Sequence, residues 1–302
     1  MLAWPRFEMP ESLLRSAAED EDYGAARRAW LASLPVTVAG LARRWSLALG
    51  RPFQPGGCTS WVAPARTMSG QRLVLKVSWH HEAAEELHEA DGLTAWDGHG
   101  TVRLVDSVTD GTTSALLLEA CEPGTPLSDA LPPREQDVIA AGLLRRLWIK
   151  PPPGHPFRPL QSMCDMWAAE FEASYHAAPP GKQLDPGLAR AGIGLFRSLP
   201  ATASQAVLLA TDLHPGNILA ARRAPWLVID PKPYVGDPAY DPLQYMLNFP
   251  GRLAADPAAF ARRMADLLDL NPQRLRHWLF ARCVQESVND PHLRIPATQL
   301  AP

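Results

Sequence analysis

Ala206-Val207-Leu208-Leu209-Ala210-Thr211-Asp212-Leu213-His214-Pro215-Gly216-Asn217-Ile218-Leu219-Ala220 is followed, after the polar turn Arg222-Arg223-Ala224-Pro225, by Trp226-Leu227-Val228-Ile229-Asp230-Pro231-Lys232. The apolar run from Val207 to Ala210 ends abruptly at Asp212. Five residues on stands Asn217, which leads a second short apolar run, and Trp226 to Ile229 then deliver Asp230. Apolar runs this short, bounded by turn formers, read as strands. Two such strands either side of a tight turn are expected to put Asp212, Asn217 and Asp230 at the same end of a hairpin.

Two carboxylates and an amide so gathered suit phosphoryl transfer. One carboxylate can orient an attacking hydroxyl and accept its proton. The amide and the second carboxylate offer the oxygen ligands that Mg²⁺ prefers. The protein-kinase catalytic loop carries an Asp, an Asn five residues later and a magnesium-binding Asp further on, and this chain resembles it in that order. The resemblance makes Asp212 the base and Asn217 and Asp230 the metal ligands. The chain departs from that pattern at two places. Ala210 and Thr211 stand where protein kinases have His-Arg, and Pro231 and Lys232 follow Asp230 in place of Phe-Gly. With Gly236-Asp237-Pro238-Ala239-Tyr240-Asp241 downstream, the block resembles the aminoglycoside phosphotransferases, and more narrowly the streptomycin 6-kinase and hydroxyurea phosphotransferase group. The likeness runs from about Phe53 to the last helices. Asp and Asn at turns often only cap backbone groups; three roles filled in order from Asp212 to Asp230 argue against that here.

The rest of the chain is consistent with such an enzyme. At 302 residues it exceeds one ordinary core and fits two lobes. Hydrophobic content of 46% with 20% charged residues describes a soluble globular protein. A net charge of −3 provides no basic field for nucleic acid or an anionic membrane. The first ten residues lack a signal-peptide pattern and no run of 18 apolar residues exists, so a cytoplasmic location is expected. Four scattered cysteines, Cys58, Cys121, Cys164 and Cys283, read as free thiols. His80, His81, His88 and His99 read as surface residues, because no arrangement closes a four-ligand site.

Residues 11–48 read as a helical preface broken at Pro35. From Phe53 the texture turns to strands: residues 55–62 as a turn entering a strand, then Leu73-Val74-Leu75-Lys76-Val77 after Ser69-Gly70. A lysine on an apolar strand is costly to bury unpaired. By the kinase resemblance Lys76 reaches the nucleotide phosphates and pairs with a glutamate of the next helix, residues 81–96. Glu82, Glu85, Glu86 and Glu89 are available; Glu89 is favoured and Glu85 is the fallback. The same resemblance makes the loop that enters the strand at Ser60 a cover for the phosphates. It also makes the strand Ala115-Leu116-Leu117-Leu118-Glu119-Ala120-Cys121 a lead into the hinge that meets adenine, placing Glu119 and Cys121 at the nucleotide. Residues 1–122 are thus the nucleotide-binding lobe and 123–302 the catalytic and acceptor-binding lobe.

Helices are expected over residues 135–148, 160–176, 188–199, 257–270 and 272–288. A polycationic aminoglycoside would be met by carboxylates, and Asp241, Glu286 and Asp290 are candidates, as are Asp165 and Glu172. Residues 230–302 hold eight acids against eight bases, so composition gives no support to a cationic acceptor; that expectation rests on the resemblance. Asp237 is read as a hydrogen-bond partner of the catalytic-loop backbone.

The expectation is therefore an α+β, protein-kinase-like two-lobed fold with a β-rich N-lobe and a mainly helical C-lobe. The expected reaction is transfer of the γ-phosphate of Mg²⁺-ATP to a hydroxyl of a small molecule, by resemblance streptomycin or a related compound such as hydroxyurea. Two alternatives stand: a kinase of the same fold acting on an unrelated hydroxylated metabolite, and a non-catalytic nucleotide-binding module.

Overall fold

The computed structural model describes residues 7–19, 24–81, 84–179 and 183–302. The chain divides into two compact units, Met1–Gly124 and Thr125–Pro302. The first is built on a sheet and the second is mainly helical, the α+β organisation expected from the sequence.

The first unit opens with helices α1 (Glu11–Glu19) and α2 (Gly24–Arg44) and continues through β1 (Leu47–Leu49), β2 (Ser60–Thr67) and β3 (Arg72–Trp79). A 3-10 turn (Glu85–His88) leads into α3 (Glu89–Trp96), then β4 (Leu104–Asp110) and β5 (Thr113–Glu119). The strands form one antiparallel sheet in the order β1-β2-β3-β5-β4. Successive side chains of a strand face opposite sides, and β3 uses both. Leu73, Leu75 and Val77 enter a core completed by Leu13, Ala17, Trp30, Leu31, Leu34, Val38, Leu41 and Ala42 of the two helices. Lys76, out of phase with those three, stands on the other face. The break predicted at Pro35 does not occur, because α2 runs through it. An interior proline destabilises a helix by about 3 kcal/mol. The apolar stripe of α2 lies on both sides of Pro35, and burying several large side chains at about 1.5–3 kcal/mol each outweighs that loss.

In the second unit α4 (Leu127–Ala130), α5 (Pro133–Leu147), β6 (Arg158–Pro159), α6 (Leu160–Ala177) and α7 (Pro186–Ser198) precede four short strands. These are β7 (Val207–Leu209), β8 (Ile218–Ala220), β9 (Trp226–Val228) and β10 (Tyr234–Gly236). Helices α8 (Leu243–Leu247), α9 (Pro250–Ala255), α10 (Pro257–Leu268), α11 (Pro272–Glu286) and α12 (Arg294–Leu300) complete it. Leu275, Trp278, Leu279, Phe280, Ala281, Cys283 and Val284 leave no side of α11 polar, which is the pattern of a central helix. It packs against α6, α7, α10 and α12. Its approach to α7 requires Gly192, where a Cβ would stand 2.5 Å from that of Val284.

Two buried carboxylates tie the helices together. Asp137 of α5 accepts from Tyr245 (2.8 Å), Arg252 (2.7 and 2.9 Å) and Arg263 (2.6 Å). Burial acts to raise its pKa, but those donors prevail and hold it below the usual carboxylate value. Asp237 accepts from Trp278 (2.5 Å), Arg274 (2.6 Å) and the Ala239 N–H (3.0 Å). Asp237 therefore braces α11, not the catalytic-loop backbone the sequence suggested. Among the described residues no helix is long and apolar enough to cross a membrane, and all four cysteines are free.

Candidate active site

Asp212, Asn217 and Asp230 are positioned by two separate small sheets. β8 and β9 pair as a hairpin, and Asn217 and Asp230 flank its open end, which is closed by the Ile229 N–H donating to the Asn217 carbonyl at 2.9 Å. β7, which leads to Asp212, lies outside that hairpin. It pairs antiparallel with β10, Leu209 opposite Tyr234. This register brings the chain after Asp230 back alongside the chain before Asp212: the Lys232 N–H donates to the Ala210 carbonyl at 2.8 Å, and the Thr211 hydroxyl donates to the Lys232 carbonyl at 2.5 Å.

Thr211 has φ +51° and Asp230 φ +53°. Left-handed backbone is unfavourable for a β-branched residue, by about 1–3 kcal/mol, and persists only where its surroundings over-determine it. At Thr211 they do. The Asp241 carboxylate accepts from the Thr211 N–H (2.7 Å), the Ala210 N–H (3.2 Å) and the Trp148 indole (2.9 Å). Burial pushes Asp241 up to about 6 against the pull of those donors. The sequence placed Asp241 on an acceptor floor; it is instead fully buried, with both oxygens engaged beneath the catalytic loop. The position the sequence assigned to Asp237 is filled by Asp241.

Around Asp212 four titratable side chains interact. Its Oδ2 lies 2.9 Å from the Lys232 ammonium, each side chain about 20% exposed. Burial raises the Asp212 pKa, Lys232 and His214 oppose that rise, and Asp230 adds to it. Burial lowers the pKa of His214, which the two carboxylates only partly offset. Its Nδ1 accepts from the Gly216 N–H at 3.2 Å. Asn217 is buried, and its Nδ2 donates to the Asp212 carbonyl at 3.2 Å. The side-chain oxygen thus remains the acceptor atom of that amide.

Among the described residues no group of three or more His, Cys, Asp or Glu is arranged to hold a metal ion. Mg²⁺ carried by a nucleotide takes one or two protein oxygens and completes its shell with phosphate and water. The oxygens of Asn217 and Asp230 fit that smaller donor set.

In the first unit the Lys76 ammonium donates to Glu89 Oε2 at 2.6 Å, with both side chains almost fully buried. Glu82 and the side chains of Glu85 and Glu86 lie outside the described part of the structure. Ser60, at the start of β2, has its hydroxyl turned to a neighbouring strand. It is buried and shares a 2.7 Å hydrogen bond with Ser78, its partner in the β2–β3 register. The loop before it is tied down by the preface helices: Ser12 donates to the Pro55 and Gly57 carbonyls and Arg27 to that of Cys58. Glu119, at the end of β5, accepts the Arg103 N–H at 3.0 Å, and Cys121 is half-buried.

The acids expected at an acceptor differ in their charge balance. Glu286 is half-buried and paired with Arg282, which overrides burial and holds its pKa low; Asn289 also donates to it. Glu172 forms a two-pronged pair with Arg197 at 2.6 and 2.8 Å. Asp165 is exposed and accepts from the Gln161 amide, while Asp290 accepts the His292 N–H at 3.0 Å. Sequence reasoning overlooked Lys232 as a site residue, although its place two positions after Asp230 was visible.

Residues 44–290 match the family described as aminoglycoside/hydroxyurea antibiotic resistance kinase. The chain is 33% identical over 290 residues to a hydroxyurea phosphotransferase of Kitasatospora aureofaciens, covering 92% of this chain and 80% of that protein. It is 33% identical over 295 residues to a streptomycin 6-kinase of Streptomyces glaucescens, covering 94% and 91%. The aminoglycoside phosphotransferase APH(4)-Ia, solved as a thermostable mutant in ternary complex with ADP and hygromycin B, shares the fold with a TM-score of 0.54. Its sequence identity is 16%, over 87% of this chain and 94% of that one.

Proposed function

We infer that this chain, which belongs to the aminoglycoside/hydroxyurea antibiotic resistance kinase family and is a small-molecule phosphotransferase, moves the γ-phosphate of Mg²⁺-ATP to a hydroxyl of a streptomycin-like acceptor. The observation that carries this reading is the convergence of Asp212, Asn217 and Asp230, with a lysine on the first carboxylate, at the ends of β7, β8 and β9.

Each residue has a part. Asp212 accepts a hydrogen bond from the acceptor hydroxyl, orients its oxygen and takes its proton late, when the oxygen–phosphorus bond is forming. Burial, which raises its pKa, makes it a stronger base than an exposed carboxylate. Asn217 and Asp230 would hold the ion. Mg²⁺ bound there supplies charge neutralisation on the phosphates. In the first unit, Lys76, held by Glu89, is assigned to the nucleotide phosphates, and the backbone after Glu119 to the adenine. For a cationic acceptor, Asp165 and Asp290 are the preferred contacts, because Glu172 and Glu286 already face guanidinium groups.

The test is ADP release with Mg²⁺-ATP over streptomycin, other aminoglycosides, hydroxyurea and simple amino alcohols, with Asp212→Ala as the blank. Turnover with streptomycin and none with the blank is expected. Turnover with hydroxyurea alone would reassign the acceptor, and tight nucleotide binding without turnover of any of these acceptors would leave the kinase chemistry standing and turn the search to an unrelated hydroxylated metabolite.

A further inference from the structure

We infer that Lys232 is a catalytic residue of the phosphoryl transfer: its ammonium, seated on the Asp212 carboxylate, is shared with the phosphoryl group as that group passes to the acceptor. The assignment rests on the phosphotransferase reading above, and the ligand class is the terminal phosphate of a nucleoside triphosphate.

The first argument is charge. Asp212 and Asp230 influence one another, and both would stand beside an incoming polyanion. Two carboxylates alone would repel it. An ion on Asn217 and Asp230 would compensate one of them, whereas Asp212 must stay free of metal to serve the hydroxyl. Lys232 supplies a cation to Asp212, at 2.9 Å.

The second argument is reach. A hydroxyl bonded to Asp212 Oδ2 lies within about 3 Å of that oxygen, so the attacking oxygen then falls within about 6 Å of the Lys232 ammonium. An ammonium carries three N–H donors on a flexible stem, enough to hold Oδ2 and a phosphoryl oxygen together. The pair is about one-fifth exposed, open enough for a ligand and enclosed enough for charge to act strongly.

The third argument is preorganisation. Pro231 and Pro233 flank Lys232, fixing their own φ and restricting Lys232 to extended backbone. Its N–H and carbonyl are both bonded to the Ala210–Thr211 segment. The charge is thus held before the reaction by groups that substitution of the side chain leaves intact, which is the condition for stabilising charge as it develops. As the acceptor oxygen–phosphorus bond forms, the bond to the ADP oxygen breaks with its electron pair leaving on ADP. The hydroxyl proton passes to Asp212. Lys232 loses its full negative partner as Asp212 is protonated and gains one in the transferring group.

The test uses full-length Lys232→Met and Lys232→Arg beside wild type, with melting temperature, kcat on the best acceptor of the panel, and Kd for Mg²⁺-ATP and Mg²⁺-ADP. We expect Lys232→Met to fold, to lose at least 100-fold in kcat, and to weaken ATP about tenfold more than ADP. The two nucleotides differ by the terminal phosphate, so that ratio reports the action of Lys232 on it. Lys232→Arg should recover at least tenfold of the lost kcat. A kcat within threefold of wild type for Lys232→Met, or equal weakening of ATP and ADP, overturns the assignment. If Lys232→Met does not fold, Lys232→Gln takes its place, and failure of both makes the pair structural and the proposal wrong. Wild type that binds neither nucleotide refutes the Mg²⁺-ATP reading itself, and the assignment falls with it; wild type that binds both but turns over none of the panel leaves that reading standing, and the ATP-to-ADP ratio alone then decides Lys232.

Discussion

Replacing Asp241 by alanine should loosen the catalytic loop by an amount the structure allows to be worked out. Three donors lose their acceptor: the Thr211 and Ala210 N–H groups and the Trp148 indole. A buried donor left unpaired destabilises by about 1–3 kcal/mol, so the gross loss is about 3–9 kcal/mol. Against this, the variant no longer buries a charge. The carboxyl moves from 3.8 to about 6 on folding, two units at about 1.4 kcal/mol each, or about 3 kcal/mol at neutral pH. The net loss at pH 7.5 is then centred near 3 kcal/mol. For a unit of this size each kcal/mol is about 2–4 °C, which gives a fall of about 6–12 °C. The sign of the pH effect follows from a folded pKa above the unfolded one. Stability from Asp241 is fully present below pH 3.8 and is lost as pH rises through about 6. Differential scanning calorimetry should therefore show a wider gap between wild type and Asp241→Ala at pH 4.5 than at pH 7.5. With its anchor gone, the strained Thr211 relaxes and displaces Asp212, so kcat should fall at least 100-fold. A variant that melts within 2 °C of wild type at pH 4.5, or a gap that narrows on acidification, would refute the reasoning.

Asp212→Ala should lower turnover by at least 10³-fold with ATP affinity kept within about threefold; loss of both would mark Asp212 as a structural residue. Lys76→Met should weaken ATP at least tenfold by titration calorimetry and leave Glu89 buried opposite an apolar side chain; unchanged affinity would remove Lys76 from the nucleotide site. Asp137→Ala leaves Arg252, Arg263 and Tyr245 without their carboxylate. It should destabilise by about 3–5 kcal/mol, and a chemical-denaturation midpoint equal to wild type would show that the hub is dispensable.

What the sequence revealed was local. Val207 to Leu209, Ile218 to Ala220 and Trp226 to Val228 are strands because short apolar runs ended by turn formers have few other fates, and the β2–β3 and β4–β5 turns follow from Gly70 and Gly111. Contacts set by the path of the chain in three dimensions were not legible. Asp237 and Asp241 lie four residues apart in one turn-rich segment. Which of them turns to the catalytic loop is decided by Trp278 and Arg274, some forty residues on. Lys232 meets Asp212 only because β10 pairs with β7, a register between strands that pattern does not reveal. The strand start at Ser60 was legible, but its pairing with Ser78 across the β2–β3 register was not. Pro35 misled for the opposite reason: local propensity forbids what packing against the sheet enforces.

The preface helices also separate two ideas of where a domain begins. The match to the family as a whole starts at residue 44, the last residue of α2, although similarity to single relatives reaches further, over 92% and 94% of the chain. Cohesion starts much earlier, since Leu13, Trp30, Leu34 and Val38 cover Trp61, Ala63, Leu75 and Val77. Ser12 and Arg27 hold the loop at residues 55–58. A polypeptide begun at residue 44 would keep the whole of the family match and would turn an apolar sheet face to water, an invitation to self-association. Excision for expression, or grafting onto another lobe, must follow the packed boundary and not the first residue of the family match.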